Sequence, residues 1–399
     1  MGAPRCLAQG TLAATRHVRY AVILLATHPE INKFLSRRRL FTVRKRIVVA
    51  CPAYTVTGGP ELLHQLCYVL RDHGFDSIMY YTGTRQNEEY KVPSAYEAYQ
   101  NPYIVSYEDS LNDILIIPET MLSLCDMFHK CLKVFWWLSV DNFYRGNMFL
   151  WERIERKIYR IIHQNDFSDV FDEMRRKGNG KGIFYFLTKM AYDKKASKIK
   201  TENLLHLNQS YYSMDSCKKL GIPDAKNLYL SDYLNCNFIK SAISTDFTKK
   251  ENIVLYNPRK GFSFTKKIID NAPDLQWIPL TGLMREEMIA LLQRAKVYID
   301  FGNHPGKDRI PREAAICGCC VITGKRGSAY YHNDVPIPDQ YKFDDEDTSL
   351  PLIVNKIHEV LSDYDSVIDD FREYREFIKS EEDKFIQDAV NIFSKIVAE

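Results

Sequence analysis

A chain of 399 residues is long enough for two domains of ordinary size. Its net charge of only +3 argues against a molecule that binds polyanions with its whole surface, and nucleic acid is not an expected partner. Hydrophobic content of 45% is that of a globular protein, and no run approaches the ~20 apolar residues of a membrane span.

The first 44 residues stand apart from the fold. Residues 1–29 carry arginines and no acids, and Tyr20 to Ala26 is apolar, a weak likeness to a targeting peptide. A basic cluster follows at Arg37, Arg38, Arg39, Arg44, Lys45 and Arg46. The first clear element is the buried-strand run Arg46 to Cys51. A loop to Gly59 leads into a helix from Pro60 to His73, with Leu62, Leu63, Leu66, Val69 and Leu70 on one stripe and Gly74 at its stop. Ser77 to Tyr81 is the next strand, which completes a βαβ opening. Further strands are expected at Ile114 to Ile117, Val134 to Leu138, Leu204 to Leu207 and Leu228 to Leu230. A helical insertion is expected at about 151–200, rich in lysine and arginine. Its aromatic centre, Gly182 to Leu187, suits either interfacial membrane contact or packing on the domain.

Residues 235–250 are polar and read as a linker. The domains are therefore expected at 45–240 and 241–399. The second series runs through strand Asn252 to Tyr256, strand Trp277 to Leu280, helix Arg285 to Ala295, strand Val297 to Phe301, helix Pro311 to Cys317 and strand Cys319 to Thr323. Residues 349–399 are expected to be helical. Strand–helix alternation implies α/β domains with parallel, covered sheets. The ten cysteines follow no framework spacing and fit reduced thiols in a cytoplasmic protein; Cys317, Cys319 and Cys320 read as core rather than metal ligands.

Ligands of such sheets bind beyond the carboxyl ends of the strands, so the loops there are the informative ones. Gly58 and Gly59 lie at the first strand–helix turn, where a backbone can approach a ligand and a helix N-terminus can receive an anion; a plain tight turn uses the same residues. Asn257-Pro258-Arg259-Lys260-Gly261 follows the first strand of the second domain, and its two cations suit a diphosphate. The run Asp300 to Ala315 joins a strand to a helix through His304, Lys307, Asp308, Arg309, Arg312 and Glu313, more charge than a connecting loop needs. Glu313 in the first turn of that helix is placed to accept a ribose diol or simply to cap the turn. Asp141, after the strand containing Trp136 and Trp137, suits either an acceptor hydroxyl or a turn cap.

These residues carry a family likeness. Pro52 to Tyr81 resembles the amino-terminal signature of glycosyltransferase family 4 and its relatives, with its Gly-Gly-x-Glu turn. Ile253 to Gly327 resembles the donor-binding half of the same superfamily. The resemblance implies two Rossmann-like domains facing across a cleft, the GT-B type, ending in helices. It implies transfer of a hexosyl or pentosyl group from a nucleotide diphosphate sugar, with retention, to a glycan or lipid-linked acceptor. It implies no cofactor or obligatory metal, because fixed cations neutralise the leaving diphosphate. Arg259 and Lys260 match the diphosphate positions, and Glu313 matches the second glutamate of the Glu-x7-Glu motif. The first glutamate's place holds Pro305, flanked by His304 and Lys307. That departure keeps two other readings open, a non-catalytic homologue acting as a binding subunit and a sugar-nucleotide epimerase using His304 with Glu61 or Asp141. The site residues expected are thus Arg259, Lys260 and Asp141 at the chemistry and Gly58, Gly59, His304, Lys307, Arg309 and Glu313 around the donor. The basic segments suggest peripheral contact with a membrane.

Overall fold

The computed structural model describes residues 45–85, 89–147, 183–200 and 204–398, with isolated positions between 150 and 157. The targeting-like residues 1–29 and most of the insertion lie outside them, as do the side chains of the 182–187 stretch.

Strand β1 (Arg46–Pro52) leads into α1 (Gly58–Asp72), followed by β2 (Ser77–Thr82), β3 (Tyr103–Ile104) and β4 (Asp113–Pro118). A short α2 (Ser123–Met127) precedes β5 (Leu132–Trp137), which runs into α3 (Val140–Gly146). Helix α4 (Ile183–Ile199), β6 (Leu204–Asn208), α5 (Tyr211–Lys219) and β7 (Asn227–Tyr229) complete the first half. Its seven strands lie in the order β3-β2-β1-β4-β5-β6-β7, all parallel. β4 is buried along its whole length, because helices cover both faces of the sheet.

Helix α6 (Cys236–Ile243) carries the chain to the second half: β8 (Glu251–Tyr256), α7 (Phe262–Asn271), β9 (Gln276–Pro279), α8 (Arg285–Arg294), β10 (Ala295–Asp300), α9 (Arg309–Ile316), β11 (Cys320–Gly324) and β12 (Lys342–Phe343). This sheet is also parallel, in the order β12-β11-β10-β8-β9. Three helices close the chain: α10 (Leu350–Ser362), α11 (Tyr364–Val367) and α12 (Arg372–Ala398). Among the described residues no helix is long and apolar enough to cross a membrane. The nine described cysteines are buried and form no disulfide with one another, and Cys317, Cys319 and Cys320 belong to the second core.

Each sheet has a switch point where the chain reverses its direction of growth, between β1 and β4 in the first and between β8 and β10 in the second. Crevices open at the carboxyl ends of such strand pairs. The loops after β1, β8 and β10 are the ones the sequence marks with glycine and charge.

Three elements differ from the sequence reading. The segment 235–250 is more than a linker: it holds α6, whose Phe238 and Ala242, four residues apart on one face, are buried in the second core. Helix α7 was not marked, although Phe264 and Ile268 anchor it in the same way. Helix α12 crosses from one half to the other. Its start buries Tyr374 and Ile378 in the second core, and its end buries Phe385, Ala389, Phe393 and Ile396 in the core of the first sheet.

That return makes the last helix a brace between the halves. Phe393 is fully buried. Phe393→Ala is expected to cost about 3–5 kcal/mol, read as a lowered denaturation midpoint in urea. The loss should appear in the unfolding of the first half, whose core the ring fills.

Candidate active site

The loop between β10 and α9 is wedged between the carboxyl ends of both sheets. Pro305 O accepts Val140 N–H at 2.8 Å, and Lys307 N–H donates to Gln209 Oε1 at 3.0 Å. A Cβ on Gly306 would come within 2.4 Å of Leu138 O, so only glycine fits against the first sheet here. On the other side Gly261, at φ +60°, lies so close to the β10 end that a Cβ would meet Phe301 O at 2.3 Å. The loop after β8 is thereby packed against the loop after β10.

That packing presents the cations. Arg259 is exposed and its guanidinium makes no ion pair among the described residues. Lys260 donates to Asp308 Oδ2 at 2.6 Å with about a third of its side chain exposed. Partial burial opposes the charge of Lys260, but Asp308 and Asp300 outweigh it and raise the pKa; Asp141, from the first domain, acts in the same direction. Asp141 is buried at the start of α3, where Ser139 caps the helix by accepting Asn142 N–H, and its carboxylate accepts the amide of Asn303 across the cleft. The structure thus brings Asp141, Lys260, His304 and Asp308 to one place.

Other expected residues have different surroundings. Helix α1 begins at Gly58, so the glycine pair forms its first turn, and Gly58 lies under the Arg309 side chain, 3.2 Å from a notional Cβ to Nε. Arg309 pairs with Glu61 and donates to Gly58 O at 3.3 Å, so it bridges the N-termini of α1 and α9. Helix α9 begins at Arg309 rather than Pro311, which puts Glu313 in its second turn; there the buried carboxylate accepts Arg285 at 2.7 Å. Lys307 is enclosed. Its ammonium meets Glu381 at 2.5 Å and Ser231 at 2.8 Å, beside Arg312, which holds Glu381 at 2.8 Å and Asp232 at 2.6 Å. Burial opposes the Lys307 charge, and Glu381 more than restores it.

His304 is fully buried between Asp300 and Asp308. The ligand atoms of these three lie within 4.8 Å of one another, which among the described residues is the grouping dense enough for a cation. Burial opposes ionisation of Asp300, yet His304 and Lys260 bring its carboxyl down to about 2. A separate cavity, lined by Asn252, Asp274, His358 and Ser362, lies toward the amino end of β8, away from these groups.

Sequence alone did not mark Glu381, Asp232, Gln209, Arg285 or Glu119. Each is remote in the chain from its partner, and no local pattern sets it apart. Glu119, at the end of β4, is buried with Oε2 accepting Leu138 N–H at 3.1 Å.

No family model matches the chain, and no curated protein matches it by sequence. Solved structures share its fold. The crystal structure of Anabaena Alr3699/HepE in complex with UDP-glucose superposes with a TM-score of 0.56 at 11% identity, over 88% of this chain and 99% of that one. Sucrose-phosphate synthase from Thermosynechococcus elongatus gives 0.55 at 11%, over 89% and 100%. A glycosyltransferase from Rickettsia africae gives 0.50 at 13%, over 89% and 98%. The likeness is one of fold: two Rossmann-like α/β domains with C-terminal helices, consistent with the GT-B type.

Burial pushes the Glu119 carboxyl up to about 8, while the Leu138 amide pulls it the other way. The unfolded chain releases that proton near ~4.3, so the folded state binds the extra proton across the interval between. Stability is therefore lost as pH rises from about 4.3 to about 8. Glu119→Gln is expected to match the wild type near pH 4 and to exceed it at pH 8 by on the order of 3 kcal/mol, measured by urea titration at both values.

Proposed function

We propose that the protein moves a sugar from a nucleoside diphosphate sugar to a hydroxyl acceptor bound by the first domain. The observation that carries this reading is the pair Arg259–Lys260, offered at the switch point of the second sheet and facing Asp141 of the first. The fold it shares with a protein solved in complex with UDP-glucose is further support.

In this reading the bond between the anomeric carbon and the β-phosphate oxygen breaks, and negative charge grows on the diphosphate. Arg259 grips phosphate oxygens with its planar fork, and Lys260 adds a point charge. Glu313 takes the ribose diol with its carboxylate, sharing it with Arg285. The acceptor oxygen forms the new bond to the anomeric carbon. Its proton passes to Asp141, which exchanges its contact with Asn303 for the incoming hydroxyl. The close fit of loop 302–308 against Leu138, Val140 and Gln209 keeps water, a competing acceptor, out of the cleft. The acceptor is a glycan or a lipid-linked saccharide, and its oxygen adds on the face from which the diphosphate departs, so the sugar is transferred with retention.

The test is donor turnover without acceptor, on a panel of uridine and guanosine diphosphate sugars, with released nucleotide measured by mass spectrometry. One donor is expected to be hydrolysed slowly. Arg259→Ala should lower kcat/KM about 100-fold through kcat. Glu313→Ala should chiefly raise the donor KM, by about tenfold, as expected for uniform binding of the nucleotide. A wild-type protein that neither hydrolyses nor binds any donor overturns the proposal and leaves a non-catalytic homologue.

A further inference from the structure

We propose that His304 is a charged strut: an imidazolium wedged between Asp300 and Asp308, which sets the position of Asp308 and, through it, aims the Lys260 ammonium into the cleft. The role differs from donor contact, since the ring is 0% exposed and cannot touch a ligand in the cleft.

The geometry decides the protonation state. Nε2 lies 3.5 Å from Asp300 Oδ1, and Nδ1 lies 3.9 Å from Asp308 Oδ2. Among the described residues these two carboxylates are what the ring nitrogens face, at the limit of hydrogen-bond distance or just beyond it. A neutral ring carries one N–H, so its other nitrogen would turn a lone pair toward a carboxylate in a site closed to water. The imidazolium turns an N–H to each side. The charge count agrees. Asp300 from β10, Asp308 from the start of α9 and Lys260 from the loop after β8 face the ring, and they sum to one negative charge that the imidazolium cancels. Burial opposes the charged ring, and Asp300 followed by Asp308 outweighs it, so the pKa is raised.

A dication in the same place fits less well. Both oxygens of Asp300 are already engaged, Oδ1 by Gly302 N–H at 2.9 Å and Oδ2 by the Tyr298 hydroxyl at 2.8 Å. Lys260 holds Asp308 at 2.6 Å. The ring also turns a different nitrogen to each carboxylate, whereas a metal takes one nitrogen. Asp300 is thus the fixed end of the assembly and Asp308 the adjustable end. Without the strut's charge, Lys260 would be the sole cation for two carboxylates and would be drawn inward, away from the cleft.

The consequence for Lys260 rests on the transferase reading; the charge on His304 does not. The first measurement is therefore nitrogen NMR on histidine-labelled wild-type protein, with His304→Asn and His304→Gln to assign the signal. The expected result is a ring protonated on both nitrogens at pH 7, where an ordinary histidine is about three-quarters neutral. A neutral His304 at pH 7 overturns the strut, as does a His304 signal that moves on addition of zinc or manganese. The second measurement is UDP and GDP binding by calorimetry. His304→Asn and His304→Gln are each expected to weaken nucleotide binding about tenfold. Unchanged affinity in both overturns the aiming of Lys260. A wild type that binds neither nucleotide fails the transferase reading instead, and the NMR result still decides the charge.

Discussion

Four ionised side chains in a site almost closed to water hold the two halves of this protein in register. Asp232 comes from the end of the first half, Lys307 and Arg312 from either side of the α9 start, and Glu381 from the helix that returns to the first half. Two positive and two negative charges cancel, and each partner satisfies more than one other. Taking such charges out of water is expensive, and the pairing repays that expense only when the geometry is complete. The network therefore adds little net stability over an apolar core of the same shape. It contributes uniqueness instead, because a shifted domain arrangement would leave a buried charge unpaired. Arg312 also donates to Lys307 O, so the network fixes the backbone of the loop as well as its side chains.

Everything around the cleft depends on that fixed backbone. With residues 307 and 312 pinned, the loop before them has to bend between the two sheets, and its successive charges point to different partners. Asp308 faces Lys260, Arg309 faces Glu61, and Glu313 faces Arg285. A second contact repeats the logic at the far side of the interface. Asp334 is fully buried and accepts Tyr211 and Tyr212 N–H groups at 2.8 and 3.1 Å, so a carboxyl of the second half caps the N-terminus of helix α5 of the first. Oriented polar contacts thus join the halves beside the apolar anchors of α12.

Much of the fold could be read from the sequence because parallel strands buried on both faces leave continuous apolar runs. Val48 and Val49, Ile114 to Ile117 and Val321 with Ile322 are such runs, and all are strands. Strand ends then located the functional loops. What stayed hidden was partnership. Lys307 and Arg309 look alike in a charged loop, yet one is locked in the interior and the other lies at the cleft edge, because Glu381 and Glu61 stand on elements far away in the chain. Helix α6 was hidden for another reason: the mostly polar run Ser244 to Lys250 that follows it makes the whole segment read as a linker, while Phe238 and Ala242 on one helix face carry the packing. Glu119 shows the same limit, since nothing beside it in sequence reveals that its carboxyl is buried.

The pairing of Arg309 bears on how the cleft works. Of the four cations that sequence places near a diphosphate, Lys307 is committed to the interior and Arg309 is held by a carboxylate of the opposite domain. Arg259 and Lys260 remain toward the cleft, one exposed and one shared with Asp308. In the proposed reading a diphosphate at this site meets two competing carboxylates, Asp308 for Lys260 and Glu61 for Arg309. The two competitions differ in consequence. Drawing Lys260 from Asp308 is local, because both stand on the second domain. Drawing Arg309 from Glu61 removes a bond between the domains. In the proposed reading, anionic ligand and interdomain carboxylate are thus alternatives for one guanidinium, and the contact that a ligand would replace is one that joins the domains.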